Sequence, residues 1–274
     1  MIITTLTDNN AEKGSGCGSE HGFSTLIEYN GSTILFDTGK SDLFLKNAKV
    51  LHKDLSAIDT LVISHGHYDH GGGVRALLET YEYNHLTLYT GQGFLKRKFV
   101  VEEGKERELG VDFDRHYLNT KGVIWRAICQ ETLMIRPGFF LVSCFKHLKE
   151  EHVNRRFLIE DENGVRVDHF TDEICLVIDT PKGLVMIVGC SHPGILSMIK
   201  TVSDRFSRPL YAVLGGIHLY DADEQRRQKV LDALIDMNIP MLGVSHCTGS
   251  DAEAYLKEHC PHFFLNNAGT VTEI

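Results

Sequence analysis

Along the first third of the chain, short runs of apolar and β-branched residues alternate with clusters of Gly, Asn and Asp. The stretches "MIITTLTD" (1–8), "GFSTLIEYN" (22–30) and "STILFDTG" (32–39) read as strands joined by turns. "AIDTLVISH" (57–65) is nearly continuous in apolar residues and suits a strand buried on both faces. Beyond a run of glycines, Val74, Leu77, Leu78 and Tyr81 recur at i, i+3, i+4 and i+7, the spacing of one helix face. From Thr180 onward, strand and helix patterns take turns. "GLVMIVGCS" (183–191) precedes a helix with Ile195, Met198, Ile199 and Val202 inward. "LYAVLGG" (210–216) precedes one containing Val230, Ala233, Leu234 and Met237, and "MLGVSHCTG" (241–249) precedes "DAEAYLKEH". Such alternation predicts helices packed on β-sheet.

The middle of the chain, 91–160, fits neither period well and differs in charge. It carries 13 basic and 10 acidic residues, a local excess of +3, whereas the remainder stands at −12. We read it as a cap inserted into a single domain spanning 1–274, since tandem repeats and Pro-rich linkers are lacking. With 274 residues, 42% hydrophobic and 24% charged, the chain can bury a sizeable core. Its formal charge of −9 argues against a general affinity for nucleic acid or anionic membrane. Apolar runs such as "LVMIV" (184–188) fall far short of the roughly 20 residues of a membrane span, and the start lacks a basic region followed by an apolar one, so a cytoplasmic protein is expected. Seven widely spaced cysteines, with no C-x-x-C pair, indicate reduced thiols rather than a disulfide framework or zinc ribbon.

The densest chemistry lies in "SHGHYDHGGG" (64–73), where His65, His67, Asp69 and His70 follow the buried strand and precede a helix. Alternate residues of an extended segment point the same way, so His65 and His67 can reach one point while Asp69 and His70 turn toward a neighbouring one. Imidazole with carboxylate suits Zn²⁺, Fe or Mn²⁺ better than Ca²⁺, which takes oxygen ligands. Gly66 and Gly71 to Gly73 would let the backbone bend without Cβ clashes and let a ligand approach closely.

This H-x-H-x-D-H arrangement after an apolar strand resembles the metallo-β-lactamase superfamily. "ILFDTG" (34–39), "EHGFS" (20–24), "DEICLVIDTPKGLVMIVGCSHPGI" (172–195), "GGIHL" (215–219) and "HCTG" (246–249) extend the likeness from the first strand to the last. They look like the branch that includes a dihydropterin-ribofuranosylaminobenzene phosphate synthase and many metal-dependent hydrolases of undefined substrate. The resemblance implies an α+β fold, an αββα four-layer sandwich here carrying the inserted cap, with a dinuclear metal site at one edge of the sheets. It makes Asp37 a hydrogen-bond acceptor behind the metal loop. His192 becomes the third ligand of the first metal beside His65 and His67, and His246 joins Asp69 and His70 on the second, each having a structural histidine as its alternative. The commonest superfamily pattern also has a histidine upstream of an aspartate that bridges both metals. Here those positions fall on His169 and Cys190, so the bridging carboxylate is missing. Cys190 is either a thiolate ligand or a small buried residue, and the second is favoured because a glycine-flanked strand end offers a thiolate little electropositive help. His21 and His218, both beside glycines, face the cleft or fill structural roles.

Three lookalikes carry less. "DTGKS" (37–41) has Ile34 where a phosphate-binding P-loop needs glycine, "GCSHPG" lacks the spacing of a nucleophile elbow, and "LKRKF" (95–99) reads as a solvated face. Two divalent cations about 3.5–4 Å apart can share a water and bring its pKa toward neutrality, and the hydroxide attacks carbonyl carbon or phosphorus. Asp69 would double as ligand and proton acceptor, with His218 protonating the leaving group. The positive cap, Lys40 and the helix N-terminus after His192 favour an anionic small molecule, so hydrolysis of a phosphoester or phosphodiester by a dizinc centre is the expected function. The condensing synthase, lactone or thioester hydrolysis, an iron-based redox protein and a metal-stabilised binding module are the alternatives. The oligomeric state is left open.

Overall fold

The computed structural model describes residues 1–148, 151 and 154–274. In chain order its elements are β1 (Ile2–Thr7), β2 (Ser24–Tyr29), β3 (Ser32–Phe36), α1 (Leu43–Val50), β4 (Thr60–Val62), α2 (Tyr68–Gly71), α3 (Val74–Thr80), β5 (Thr87–Gly91), β6 (Arg97–Glu102), β7 (Lys105–Glu108), α4 (Arg115–Thr120) and β8 (Ile124–Ile128). There follow β9 (Thr132–Arg136), β10 (Phe139–Val142), β11 (Phe157–Asp161), β12 (Gly164–Val167), β13 (Cys175–Thr180), β14 (Gly183–Ile187), α5 (Ile195–Phe206), β15 (Leu210–Gly215), α6 (Glu224–Asp236), β16 (Met241–Val244), α7 (Ser250–His259), β17 (Phe263–Leu265) and β18 (Val271–Glu273). They form two compact units, one of Met1–Ile128, Arg155–Asp172 and Asn267–Ile274, the other of Cys129–Asn154 and Glu173–Asn266.

The first unit holds a seven-stranded sheet ordered β18-β1-β2-β3-β4-β5-β8, antiparallel as far as β3 and parallel from β3 to β8. Register aligns Leu26, Leu35, Leu61 and Leu88 in one row across it. That row packs with Phe44, Leu45 and Ala48 of α1 and with Val74, Leu77 and Leu78 of α3 in one apolar cluster, the face that the helical spacing predicts. Tyr81, the last residue of that spacing, is already extended and ends the helix. A smaller sheet, β12-β11-β6-β7, belongs to the same unit. The span 91–160 therefore gives β6, β7, α4, β8 and most of β11 to the first unit and β9 and β10 to the second.

The second unit is a seven-stranded sheet ordered β17-β16-β15-β14-β13-β10-β9. Its four strands β14 to β17 run parallel and are joined through α5, α6 and α7, as the strand-helix alternation requires. Phe140, Val177, Met186, Val213, Leu242 and Phe263 lie in one register row. Met198 and Val202 of α5, Val230 and Leu234 of α6 and Leu256 of α7 pack against it. Met237 is the C-cap of α6 and is exposed, whereas Val230 and Leu234 are buried.

Among the described residues all seven cysteines are free. Cys175 belongs to the apolar cluster of the second unit, and burial raises its thiol pKa far above the ordinary value. In the native protein, iodoacetamide is expected to label the exposed Cys129 and Cys144 within minutes while leaving Cys175 unmodified until denaturant is added, read by peptide mass spectrometry.

Candidate metal centre

In the first unit, β4 ends at Val62 and the chain turns through Ser64 and His65 into α2, whose N-cap is His67. His65 and His70 are fully buried, and His67 and Asp69 nearly so. The backbone after β3 delivers Asp37 behind them. Its N–H donates to the Val62 carbonyl at 2.8 Å, which fixes it to the neighbouring strand end. The Asp37 carboxylate accepts from the Ser64 N–H at 2.7 Å and the Ser64 hydroxyl at 2.8 Å, and lies 2.6 Å from His70 Nδ1. Burial raises the Asp37 pKa, with the neighbouring His70 and the Ser64 bonds acting against that rise. A carboxylate on Nδ1 sets the tautomer that leaves Nε2 as the donor toward a cation.

His65 Nε2 and His67 Nδ1 stand 3.1 Å apart. Two nitrogens each about 2.0–2.1 Å from one tetrahedral zinc would be roughly 3.3 Å apart, so this spacing suits two ligands of a single ion. The His67 ring is flanked by Phe157 and Phe170, with centroids at 5.6 and 5.8 Å. Burial takes its pKa down from 6.5 to about 3, and desolvation lowers that of His65 as well. Neutral imidazole is the ligating form, so the fold holds these donors ready at neutral pH. In metal-free protein the unfolded chain takes up a proton on residue 67 below about pH 6.5 that the folded chain refuses until about pH 3. Stability from that imidazole is therefore present above 6.5 and is lost as pH falls toward 3, amounting to about 2 kcal/mol between pH 7.5 and pH 5. Urea unfolding of chelator-treated protein at the two pH values measures it; an unchanged midpoint contradicts it.

The loop glycines spare the backbone the clashes that a Cβ would make, as expected. A Cβ on Gly66 would sit 2.3 Å from the Phe94 carbonyl, and one on Gly73 2.4 Å from that of Thr38. It is the protein's own backbone that approaches, and neither residue has a positive φ. The Gly66 N–H donates to Asp172 Oδ2 at 2.8 Å, and Asp172 with Asp168 holds Lys98 Nζ at 3.0 and 2.7 Å. Lys98 is 1% exposed. The reading of "LKRKF" as a solvated face is thus wrong for this residue: alternation along β6 turns Lys98 inward, while Arg97 beside it pairs outward with Glu106, Glu108 and Glu160. Sequence spacing alone had no signal for this triad, because its carboxylates come from about 70 residues away.

In the second unit, Cys190, Ser191 and His192 follow β14, His218 follows β15 and His246 follows β16; all are buried. The Ser191 N–H donates to Glu173 Oε1 at 3.1 Å, and its hydroxyl to the Gly216 carbonyl at 2.7 Å. The His192 and His218 ring centroids are 4.3 Å apart, and His218 Nδ1 is 3.6 Å from Asp221 Oδ1. Ser191, His218 and His246 have φ of 59°, 48° and 55°, and Asp37 in the first unit has 58°. Left-handed backbone at non-glycine residues is costly and clusters at functional sites, a signal that sequence spacing does not carry.

The remaining expected site residues are His21, Lys40 and His169. His21 is half-exposed, with Nε2 at 3.0 Å from Asp69 Oδ2. Lys40 is exposed and lies 5.8 Å from the Tyr68 ring centroid. His169 is exposed between buried Asp168 and Phe170. The helix N-terminus after His192 is not an open anion site: the Glu151 carboxylate accepts from the Leu196 and Ser197 N–H groups at 3.0 and 2.6 Å and from the Ser197 hydroxyl. Of the cap's basic residues, Lys96, Arg97, Lys98 and Arg107 are each paired with carboxylates.

Comparison with known proteins bears directly on this arrangement. The profile described as "Metallo-beta-lactamase superfamily" matches residues 18–134. A 7,8-dihydropterin-6-methyl-4-(β-D-ribofuranosyl)-aminobenzene-5'-phosphate synthase of Methanocaldococcus jannaschii is 31% identical, over 98% of this chain and 95% of that protein. The chain belongs to the metallo-β-lactamase superfamily. A solved structure titled as a metal-dependent hydrolase of the β-lactamase superfamily has 31% identity and a TM-score of 0.87, covering 100% of this chain and 99% of that one. The chain accordingly has the metallo-β-lactamase fold. A diphosphatase of the PhnP family, at 12% identity and a TM-score of 0.58 over 100% and 97% of the two chains, shares that fold alone. Membership supports a metal-dependent enzyme, and among the described residues no helix is long and apolar enough to cross a membrane.

Proposed function

We propose that the protein is a metal-dependent hydrolase acting on a phosphorylated or otherwise anionic small molecule. In this reading His65, His67 and His192 hold one cation, and Asp69, His70 and His246 hold a second. The observation that carries it is the 3.1 Å separation of His65 Nε2 from His67 Nδ1, two desolvated imidazoles aimed as a pair at one ion. Borderline nitrogen donors with a carboxylate suit Zn²⁺, and also Fe or Mn²⁺. A divalent cation bound there supplies Lewis acidity and lowers the pKa of coordinated water toward neutrality.

The chain's own groups do the rest. Asp37 orients His70, and the Lys98 triad fixes the Gly66 N–H and with it the loop between His65 and His67. Asp69 accepts a proton that His21, at 3.0 Å and half-exposed, passes to solvent. His218 delivers a proton to the leaving group, its charged form supported by Asp221. With the helix N-terminus already engaged by Glu151, the exposed Lys40 is the residue we assign to the substrate anion. Seven free thiols suit the reducing cytoplasm, where we place the protein.

Metal content by elemental analysis, with turnover of p-nitrophenyl phosphoesters, lactones and thioesters by the natural protein and by His65→Ala, tests this reading. Metal-loaded protein inert toward all three classes contradicts it. The likeness to the archaeal synthase favours a second reading, condensation of a pterin with a ribofuranosylaminobenzene phosphate. A product containing both substrates, seen by mass spectrometry, selects it over hydrolysis.

A further inference from the structure

We propose that Cys190 is a thiolate ligand shared by both cation positions, standing where the commonest superfamily pattern has a bridging aspartate. The inference rests on the metal-dependent reading above and concerns one donor of that centre. Within the second unit, Cys190 Sγ lies within 4.8 Å of one ring nitrogen of His192, and within the same distance of one of His246. The sulfur is therefore close to the imidazole assigned to the first cation and to the one assigned to the second. All three side chains are buried.

The segment carrying the sulfur is pinned on every side. Gly189 accepts from the Gly216 N–H at 2.9 Å, and Ser191 is held through both its N–H and its hydroxyl. The carbonyl of Cys190 itself accepts from the Cys247 thiol at 3.4 Å. Cys175 offers the contrast, since it lies inside the apolar cluster, to which Cys190 does not belong. A cysteine kept merely as a small filler has no need of two imidazole nitrogens this close to its sulfur. The glycine-flanked strand end lacks electropositive help of its own, but two cations supply it. On binding, the S–H bond gives its proton to solvent and the sulfur pair goes to the metals. A soft donor at the shared position biases the centre toward Zn²⁺ or Fe²⁺ and against Mn²⁺.

The test is Co²⁺ titration of full-length, chelator-stripped protein, followed by absorption spectroscopy. Cobalt bound to the natural protein is expected to show visible ligand-field bands together with a near-ultraviolet sulfur-to-cobalt charge-transfer band. Cys190→Ser is expected to lose the charge-transfer band entirely and retain the ligand-field bands. Cys190→Asp, which restores a carboxylate of similar reach, guards against misfolding of the serine variant and is expected to bind cobalt without the band and to gain Mn²⁺ affinity relative to Zn²⁺. Ligand-field bands without charge transfer in the natural protein, or charge transfer that survives in either variant, overturn Cys190 ligation and leave the metal centre standing. A protein that takes up no cobalt overturns the metal centre itself, and this inference with it.

Discussion

Replacing His65 by alanine is expected to empty the first cation position and to reduce turnover by more than the roughly 10- to 100-fold that loss of an outer hydrogen-bond partner costs. The side chain is fully buried beside His67 with its Nε2 directed to the same point, so no neighbouring group can take its place without moving the loop. Asp37→Asn supplies the comparison. Asparagine keeps the shape but offers its carbonyl or amide where His70 Nδ1 and two Ser64 donors need a carboxylate, so a loss within that 10- to 100-fold range is expected. Elemental analysis and initial rates, measured on the same preparations, separate the two effects. Full metal occupancy and unaltered turnover in His65→Ala would remove residue 65 from the centre.

Lys98→Met is expected to destabilise the protein by about 3–5 kcal/mol, the usual consequence of deleting one partner of a buried ion pair. Asp168 and Asp172 would be left buried without their cation, and Asp172 also holds the Gly66 N–H. Burial already raises the Asp172 pKa, and Lys98 is the largest influence opposing that rise. Without the lysine the Asp172 carboxyl loses the largest influence that opposes its protonation. The folded variant then binds protons more tightly than the unfolded chain, so its deficit should grow as pH rises and shrink in mild acid. Urea midpoints of metal-free natural and variant proteins at three pH values provide the measurement. A deficit that is small and independent of pH would show that the triad contributes little.

How much of this could be read from residues alone differs from element to element. The H-x-H-x-D-H string after an apolar run marks the metal loop because extended backbone puts residues 65 and 67 on one side, a purely local rule. The helix faces of Val74, Leu77 and Leu78 and of Met198 and Val202 follow from local period, and both are buried. Lys98 is illegible locally because one inward charge on a short strand is invisible to period-two reading until its carboxylates, Asp168 and Asp172, arrive from beyond β12. Glu151 escaped notice for the same reason: a helix cap supplied from more than 40 residues upstream has no signature in the helix itself. At Gly66 and Gly73 the need for space is visible in sequence, whereas the occupant of that space, backbone from elsewhere in the chain, is not.

The left-handed residues at the strand ends have a consequence for engineering. Asp37, Ser191, His218 and His246 each hold a conformation that glycine adopts without penalty. A screen that rewards heat resistance alone would therefore drift toward glycine at such positions wherever the side chain's own bonds are worth less than the relieved strain. The survivors would outlast the parent in a hot tube and have little left to do there.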